Sequence, residues 1–182
     1  MRAIPTRIQG VVILETEWQR DERGGFLRSF CERELAQTGI PFHTRQTNLS
    51  RNVLAGTLRG MHYQDMRAPE PKIVWCIKGA IWDVALDVRH GSETFGIWEA
   101  AELSAENGRA IYIDGGIAHG FITLTDDSEL LYHMGEFYQP ELARVVRWND
   151  PMFKIEWPMQ PVVISERDAN APDFRPQTPM LP

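Results

Sequence analysis

Two cysteines are all that the 182 residues contain. Cys31 and Cys76 lie in different segments and outside any CxxC or Cys/His cluster, so neither a disulfide framework nor a zinc site is indicated. Long apolar runs are missing too. Met1 to Gly10 has no apolar core of the signal-peptide kind, and no stretch approaches the length of a membrane helix. The expected setting is a reducing one, the cytoplasm, with no membrane partner. An excess of positive charge is also lacking: the formal net charge is −6, with acids and bases interleaved. That argues against nucleic-acid binding and leaves room for a local anion pocket. Internal repeats, low-complexity tracts and linkers are absent from the sequence. Residues 1–182 therefore read as a single domain, which at this length buries roughly 70% of its unfolded surface without staples.

What is present reads mostly as short strands. Residues 10–16 form an apolar, β-branched run, followed at Asp21 to Phe30 by paired glycines, Gly24 and Gly25, between Arg23 and Arg28. Cys31 to Gly39 is the best short helix, with Gly39 as its stop. Over 45–53 the alternation puts Gln46, Asn48 and Ser50 on one face, turned either to solvent or to a polar cavity. Residues 72–78 divide into Lys72, Val74, Cys76 and Lys78 against Ile73, Trp75 and Ile77, and 81–89 alternate in the same way. These two runs around Gly79 are expected to pair as antiparallel neighbours. Further short strands over 97–103, 109–113, 120–125 and 129–134 indicate a sandwich or barrel. From Tyr138 prolines recur, so the tail is expected to be loop-rich and to wrap the barrel, with 171–182 mobile.

Candidate chemistry gathers between Leu58 and Lys72, where Arg59, His62 and Lys72 lie within fifteen residues. Strict alternation would put Arg59 and His62 on opposite faces. For both to enter one pocket, Gly60 must mark a bulge or twist. His43, His90 and His133 read as ordinary surface or core histidines, whereas His119 sits in a glycine-flanked bend. A barrel with histidines invites a metal reading. Here His62-Tyr63-Gln64 lacks the second histidine of a His-x-His pair and Lys72 would bring a cation close, so no metal and no cofactor is expected. Histidine, lysine and tyrosine suit proton abstraction beside a carbonyl, as base, enolate stabiliser and returning acid.

Phe26 after Asp21 to Gly25, Gln46-x-Asn48, Leu58 to Gln64, Lys72, Asp83 to Arg89, Ser92-x-Thr94-Phe95-Gly96, Gly116-x-Ala118-His119-Gly120-Phe121, Tyr132, Trp148 to Pro151 and Ile155-x-Trp157-Pro158 follow one another in a specific order. This ordered set, over about residues 8 to 170, resembles the dTDP-4-dehydrorhamnose 3,5-epimerase family. The resemblance implies an all-β, cupin-type jelly roll, a homodimer without metal, and epimerisation of a nucleotide-linked 4-keto-6-deoxy sugar at C3, C5 or both. It implies His62 as the base, Asp168 as its dyad partner, Lys72 at the enolate oxygen and Tyr132 as the acid on the opposite face. Arg23, Gln46, Asn48, Arg59 and His119 match sugar and diphosphate positions, Arg23 and Arg59 as a phosphate clamp. Phe26 and Tyr138 match aromatic positions near the ligand, and Arg167 stands where lysine is usual. Departures occur at Arg28 and Ala143, where the family commonly has glutamates, at Thr47, Leu49 and His133, and at Glu70-Pro71 before Lys72. They bear on the ligand rim rather than on the chemistry. A non-catalytic sugar-nucleotide-binding cupin and a metal-dependent cupin oxygenase are the rival classes.

Overall fold

Strands buried on both sides dominate the chain, because almost every central strand is apolar on both of its faces. In β7 (Lys72–Lys78), Val74 and Cys76 point into one apolar cluster while Ile73 and Trp75 point into another. In β8 (Ala80–Asp87), Ile81 and Ala85 face the first of these clusters, and Val84 and Leu86 a third. Two sheets back to back, each with an outer cover, satisfy that pattern.

The computed structural model describes residues 1–176. The remaining elements are β1 (Arg2–Pro5), β2 (Val11–Glu15), β3 (Gln19–Asp21), β4 (Gly24–Phe26), α1 (Glu32–Gln37), β5 (Gln46–Asn52), β6 (Thr57–Gln64), β9 (Trp98–Ser104), β10 (Arg109–Ile113), β11 (Ile117–Thr123), β12 (Ser128–Met134), β13 (Ala143–Val145), β14 (Val163–Ile164) and α2 (Glu166–Ala169). One sheet runs β1-β2-β10-β7-β12-β5 and the other β13-β6-β11-β8-β9, with β14 lying parallel along β6. Together they make a jelly-roll barrel. Leu35, Ile40 and Phe42 cover the outside of the first sheet. Val146, Phe153, Trp157 and Phe174 cover the second, so the tail does wrap the barrel. Ala171 is buried and the Phe174 ring meets Phe153 at 5.1 Å, so the near part of the tail expected to be mobile is docked. Residues 177–182 lie outside the described residues.

Two expectations are settled by strand pairing. β7 and β8 are not partners. β7 lies between β10 and β12, and β8 between β11 and β9, in opposite sheets. Gly79, with φ of +76°, turns the chain through a corner where a Cβ would strike Thr125 and Ser128. Two strands that each bury both faces are better served by crossing between sheets than by a hairpin.

The expected irregularity at Gly60 is present. His62 pairs with His119 and Arg59 with Phe121, so three steps on β6 oppose two on β11. Gly60 has φ of +119°, and a Cβ there would lie 2.5 Å from the Gly120 Cα. The extra residue turns Arg59 and His62 to the same side.

Asp87 closes the connection to β9 from inside. It accepts from Arg89, and from the Ser92 and Thr94 hydroxyls at 2.6 Å each. Burial alone would raise its carboxyl, but these bonds outweigh burial and draw its pKa down to about 2.

Gly60→Ala should lose about 2 kcal/mol or more of stability, from the left-handed backbone and the clash together. Turnover should fall in the same variant. Urea unfolding and a kinetic assay check both, and an unaffected variant would show the bulge to be dispensable. A depressed folded pKa contributes stability above the unfolded carboxyl value near ~3.9, and that contribution is lost as pH falls towards 2. Asp87→Asn should therefore cost about 2 kcal/mol at neutral pH. The gap to wild type should close as the pH is lowered through that window, as denaturant titrations at several pH values would show.

Candidate active site

Between the sheets, near the start of β7 and the end of β12, apolar packing gives way to a cavity of about 520 Å³. Period-two alternation delivers its walls: Gln46, Asn48 and Ser50 from β5, Lys72 from β7 and Tyr132 from β12 on one side. Arg59 and His62 from β6, His119 from β11 and Arg144 from β13 face them from the other sheet. Tyr138 and Arg167 stand on the rim. The polar face of β5 is thus turned inward to a cavity.

His62 Nε2 donates to Asp168 Oδ1 at 2.7 Å, and the buried carboxylate takes a second bond from the Gly60 N–H at 3.2 Å. Ser165, as N-cap of α2, accepts from the Asp168 N–H and so sets that residue in place. Burial would raise the Asp168 carboxyl, but the bond and charge of His62, with help from Gly60 and Ser165, hold it below the usual range. An ionised carboxylate only accepts, so Nε2 carries the proton and Nδ1 holds the lone pair. That makes Nδ1 the basic atom.

Across the cavity, burial pushes the Tyr132 phenol far above its ordinary value, and the nearby Asp83 charge adds to the effect against a smaller pull from Arg59. A group so held keeps its proton and acts as a donor. Its ring meets His119 edge-on, 6.0 Å between centroids, and His119 Nε2 bonds to the fully buried Asp83 at 2.8 Å. Lys72 is buried and its Nζ reaches Glu70 Oε2 at 3.2 Å.

Arg59 is steadied by neutral oxygens, Asn52 Oδ1 at 2.8 Å and the Arg51 carbonyl at 3.4 Å. Its charge stays available to an anion. Gln46 accepts from the Tyr138 N–H at 3.2 Å, which ties the rim loop to β5.

Gln46, Asn48, Arg59, His62, Lys72, His119, Tyr132, Tyr138 and Arg167 therefore share one cavity, with Asp168 behind it. Arg23 and Phe26 do not line it. They belong to the β3–β4 hairpin, where Arg23 is 85% exposed and pairs with Asp21, and Phe26 is 62% exposed. The hairpin forms its own two-stranded sheet, pairing with neither large one. Asp83, Glu70 and Arg144 were not anticipated from the sequence. For Asp83 the signal was partial: alternation set it with Ala85 and Asp87 opposite Trp82 and Val84, and the structure shows that face to be buried, where an acid needs a partner. None existed for Arg144. Among the described residues no group of three or more His, Cys, Asp or Glu side chains could hold a metal ion.

A family model described as dTDP-4-dehydrorhamnose 3,5-epimerase matches residues 5–176. A dTDP-4-dehydrorhamnose 3,5-epimerase of Pseudomonas aeruginosa is 41% identical over 176 residues, 96% of each chain. A dTDP-4-dehydrorhamnose 3-epimerase of Streptomyces niveus is 37% identical over 94% of this chain and 83% of its own. Among solved structures, the 3,5-epimerase from Bacillus anthracis, with TDP and pyrophosphate bound, superposes with a TM-score of 0.92 at 34% identity, covering 95% of this chain and 99% of its own. With the cupin-type barrel and a cavity of this make-up already in view, matches of that extent establish that the chain belongs to the dTDP-4-dehydrorhamnose 3,5-epimerase family.

Proposed function

We propose that the chain is an isomerase that converts dTDP-4-dehydro-6-deoxy-D-glucose to dTDP-4-dehydro-L-rhamnose by inverting C3 and C5. The observation that carries this reading is the arrangement of His62 with its carboxylate on one sheet and a proton-holding Tyr132 on the other. Hydrogens beside the C4 ketone are acidic enough for an imidazole to remove when the resulting enolate is stabilised. His62 Nδ1 takes the proton from C5 or C3, and the C–H electrons move to the C4 oxygen. The Lys72 ammonium meets that oxyanion. Tyr132 then delivers its proton to the carbon from the opposite face, the ketone re-forms, and the phenolate and imidazolium exchange protons with solvent. Asp168 keeps the imidazole oriented and supports its positive form. Arg59, Arg144 and Arg167 supply charge for the diphosphate, and Tyr138 a flat surface for the base.

A second reading, inversion at one carbon, is favoured by the similarity to a 3-epimerase. Turnover in D2O separates the two. Deuterium at both carbons supports the first and deuterium at one carbon supports the second, while no exchange at either sinks both. His62→Ala should abolish exchange, and Asp168→Asn should slow it by about a hundredfold or more. Tyr132→Phe should still admit label, through His62, yet give little inverted product.

The same reading makes the active form a homodimer, each β3–β4 hairpin reaching the other protomer's cavity with Arg23 and Phe26. Exposure of the whole hairpin supports this, since an isolated two-stranded hairpin is marginal in water. Co-expressing His62→Ala with Arg23→Ala chains should restore about a quarter of wild-type activity, because half of random dimers hold one complete site. Two inactive parents with no recovery on mixing would rule the exchange out. The reading suits a reducing compartment, given free Cys31 and Cys76. No helix among the described residues is long and apolar enough to cross a membrane.

A further inference from the structure

Three groups that face the cavity are each paired with a buried carboxylate: His62 with Asp168, His119 with Asp83, and Lys72 with Glu70. The first two acids stand behind their imidazoles, outside the lining. Glu70 does not. Among the described residues it is the one carboxylate in the cavity wall, set among Arg59, Arg144 and Arg167. It is 8% exposed, and its side chain bonds to Lys72 Nζ and, among the described residues, to nothing else.

A carboxylate in a wall that receives a diphosphate repels the ligand, so its place there calls for an offsetting role. The local chain shows one. Residues two apart on an extended segment share a face, which brings Glu70 beside Lys72. Pro71 between them restricts the backbone, and its carbonyl accepts from the Gly135 N–H at 2.8 Å, anchoring the segment to the end of β12. A lysine on its own is a point charge on a long, freely rotating stem. Anchored by one of its three N–H bonds to a carboxylate that cannot move, it keeps the other two for a ligand oxygen.

We propose that Glu70 is a positioning residue of the epimerisation, aiming the Lys72 ammonium at the developing enolate oxygen at the expense of some affinity for the nucleotide diphosphate. This rests on the reading of Lys72 as the enolate-stabilising group. The signature is a split that a general loss of structure would not produce, because catalysis falls while nucleotide affinity does not.

Glu70→Gln has nearly the same shape and removes the charge. Its kcat should fall about tenfold or more, as expected when a reacting group is displaced. Affinity for dTDP, measured by calorimetry, should hold or tighten by up to about tenfold once this lining carboxylate is neutral. Glu70→Asp keeps the charge but draws it back by one methylene, so its kcat should lie between the two at wild-type dTDP affinity. An unchanged kcat in either variant overturns the assignment. So does a joint fall of kcat and dTDP affinity. Should Glu70→Gln not fold, Glu70→Asp decides alone by the same criteria. Lys72→Met separates this inference from the reading beneath it. A fully active Lys72→Met enzyme overturns the enolate role itself, whereas an inactive one beside unaffected Glu70 variants overturns only the role of Glu70.

Discussion

The bond between His62 and Asp168 is where the barrel, its bulge and its tail meet. Asp168 comes from a segment more than a hundred residues away along the chain, delivered by β14 running parallel to β6 and by α2, whose Ser165 cap fixes the carboxylate's direction. The same carboxylate takes the Gly60 N–H, on the strand that has just gained a residue against its neighbour. One buried acid thereby stabilises an irregular strand, orients the base that the irregularity exposes and closes the C-terminal wrap. A buried carboxylate with two such donors stays ionised, and an ionised Asp168 is what selects Nδ1 of His62 as the basic atom.

Charge is handled differently on the two sides of the cavity's work. His62, His119 and Lys72 are backed by acids, whereas Arg59 is held by an amide and a carbonyl oxygen. That contrast follows from what each must do. An imidazole gaining a proton is helped by a carboxylate behind it, but an arginine already paired with a carboxylate has less to offer a phosphate. A chain carrying −6 overall therefore still presents a cationic cavity. Tyr132 adds to the contrast, since burial and the Asp83 charge hold the proton on its phenol.

Strand-level periodicity was legible because burial enforces it. β7 and β10 fall where alternation put them, Gly39 ends α1 in a left-handed conformation, and the need to bring Arg59 and His62 to one side located the bulge at Gly60. Pairing between β7 and β8 was not legible. Alternation says which residues share a face but not which sheet a strand joins, and Gly79 serves a corner as readily as a hairpin turn. The separation of Arg23 and Phe26 from the cavity could not be read either, since sequence order does not show that their hairpin pairs with neither sheet. Tyr132 and Asp168 would have passed as an ordinary strand tyrosine and tail carboxylate but for the family resemblance. Asp83 and Glu70 were in plain sight as acids on buried or half-apolar stretches, where only a partner makes an acid tolerable.

The departures expected at the ligand rim separate in the structure. Arg28 bonds to Glu34 at 2.6 Å and does not line the cavity of its own chain. Ala143 lines the cavity without charge, next to Arg144. Among the described residues the carboxylate that does line the cavity is Glu70, bonded to Lys72. On the proposed reading, proton removal, enolate stabilisation and reprotonation require the same groups whether one carbon or two are inverted, and a 3,5-epimerase and a 3-epimerase are of comparable identity to this chain. On that reading the two outcomes differ in whether the sugar can turn within the cavity while the nucleotide stays bound. The edge residues Ala143, Tyr138 and Arg167 would govern that freedom, while the sheet positions of His62, Lys72 and Tyr132 set the chemistry.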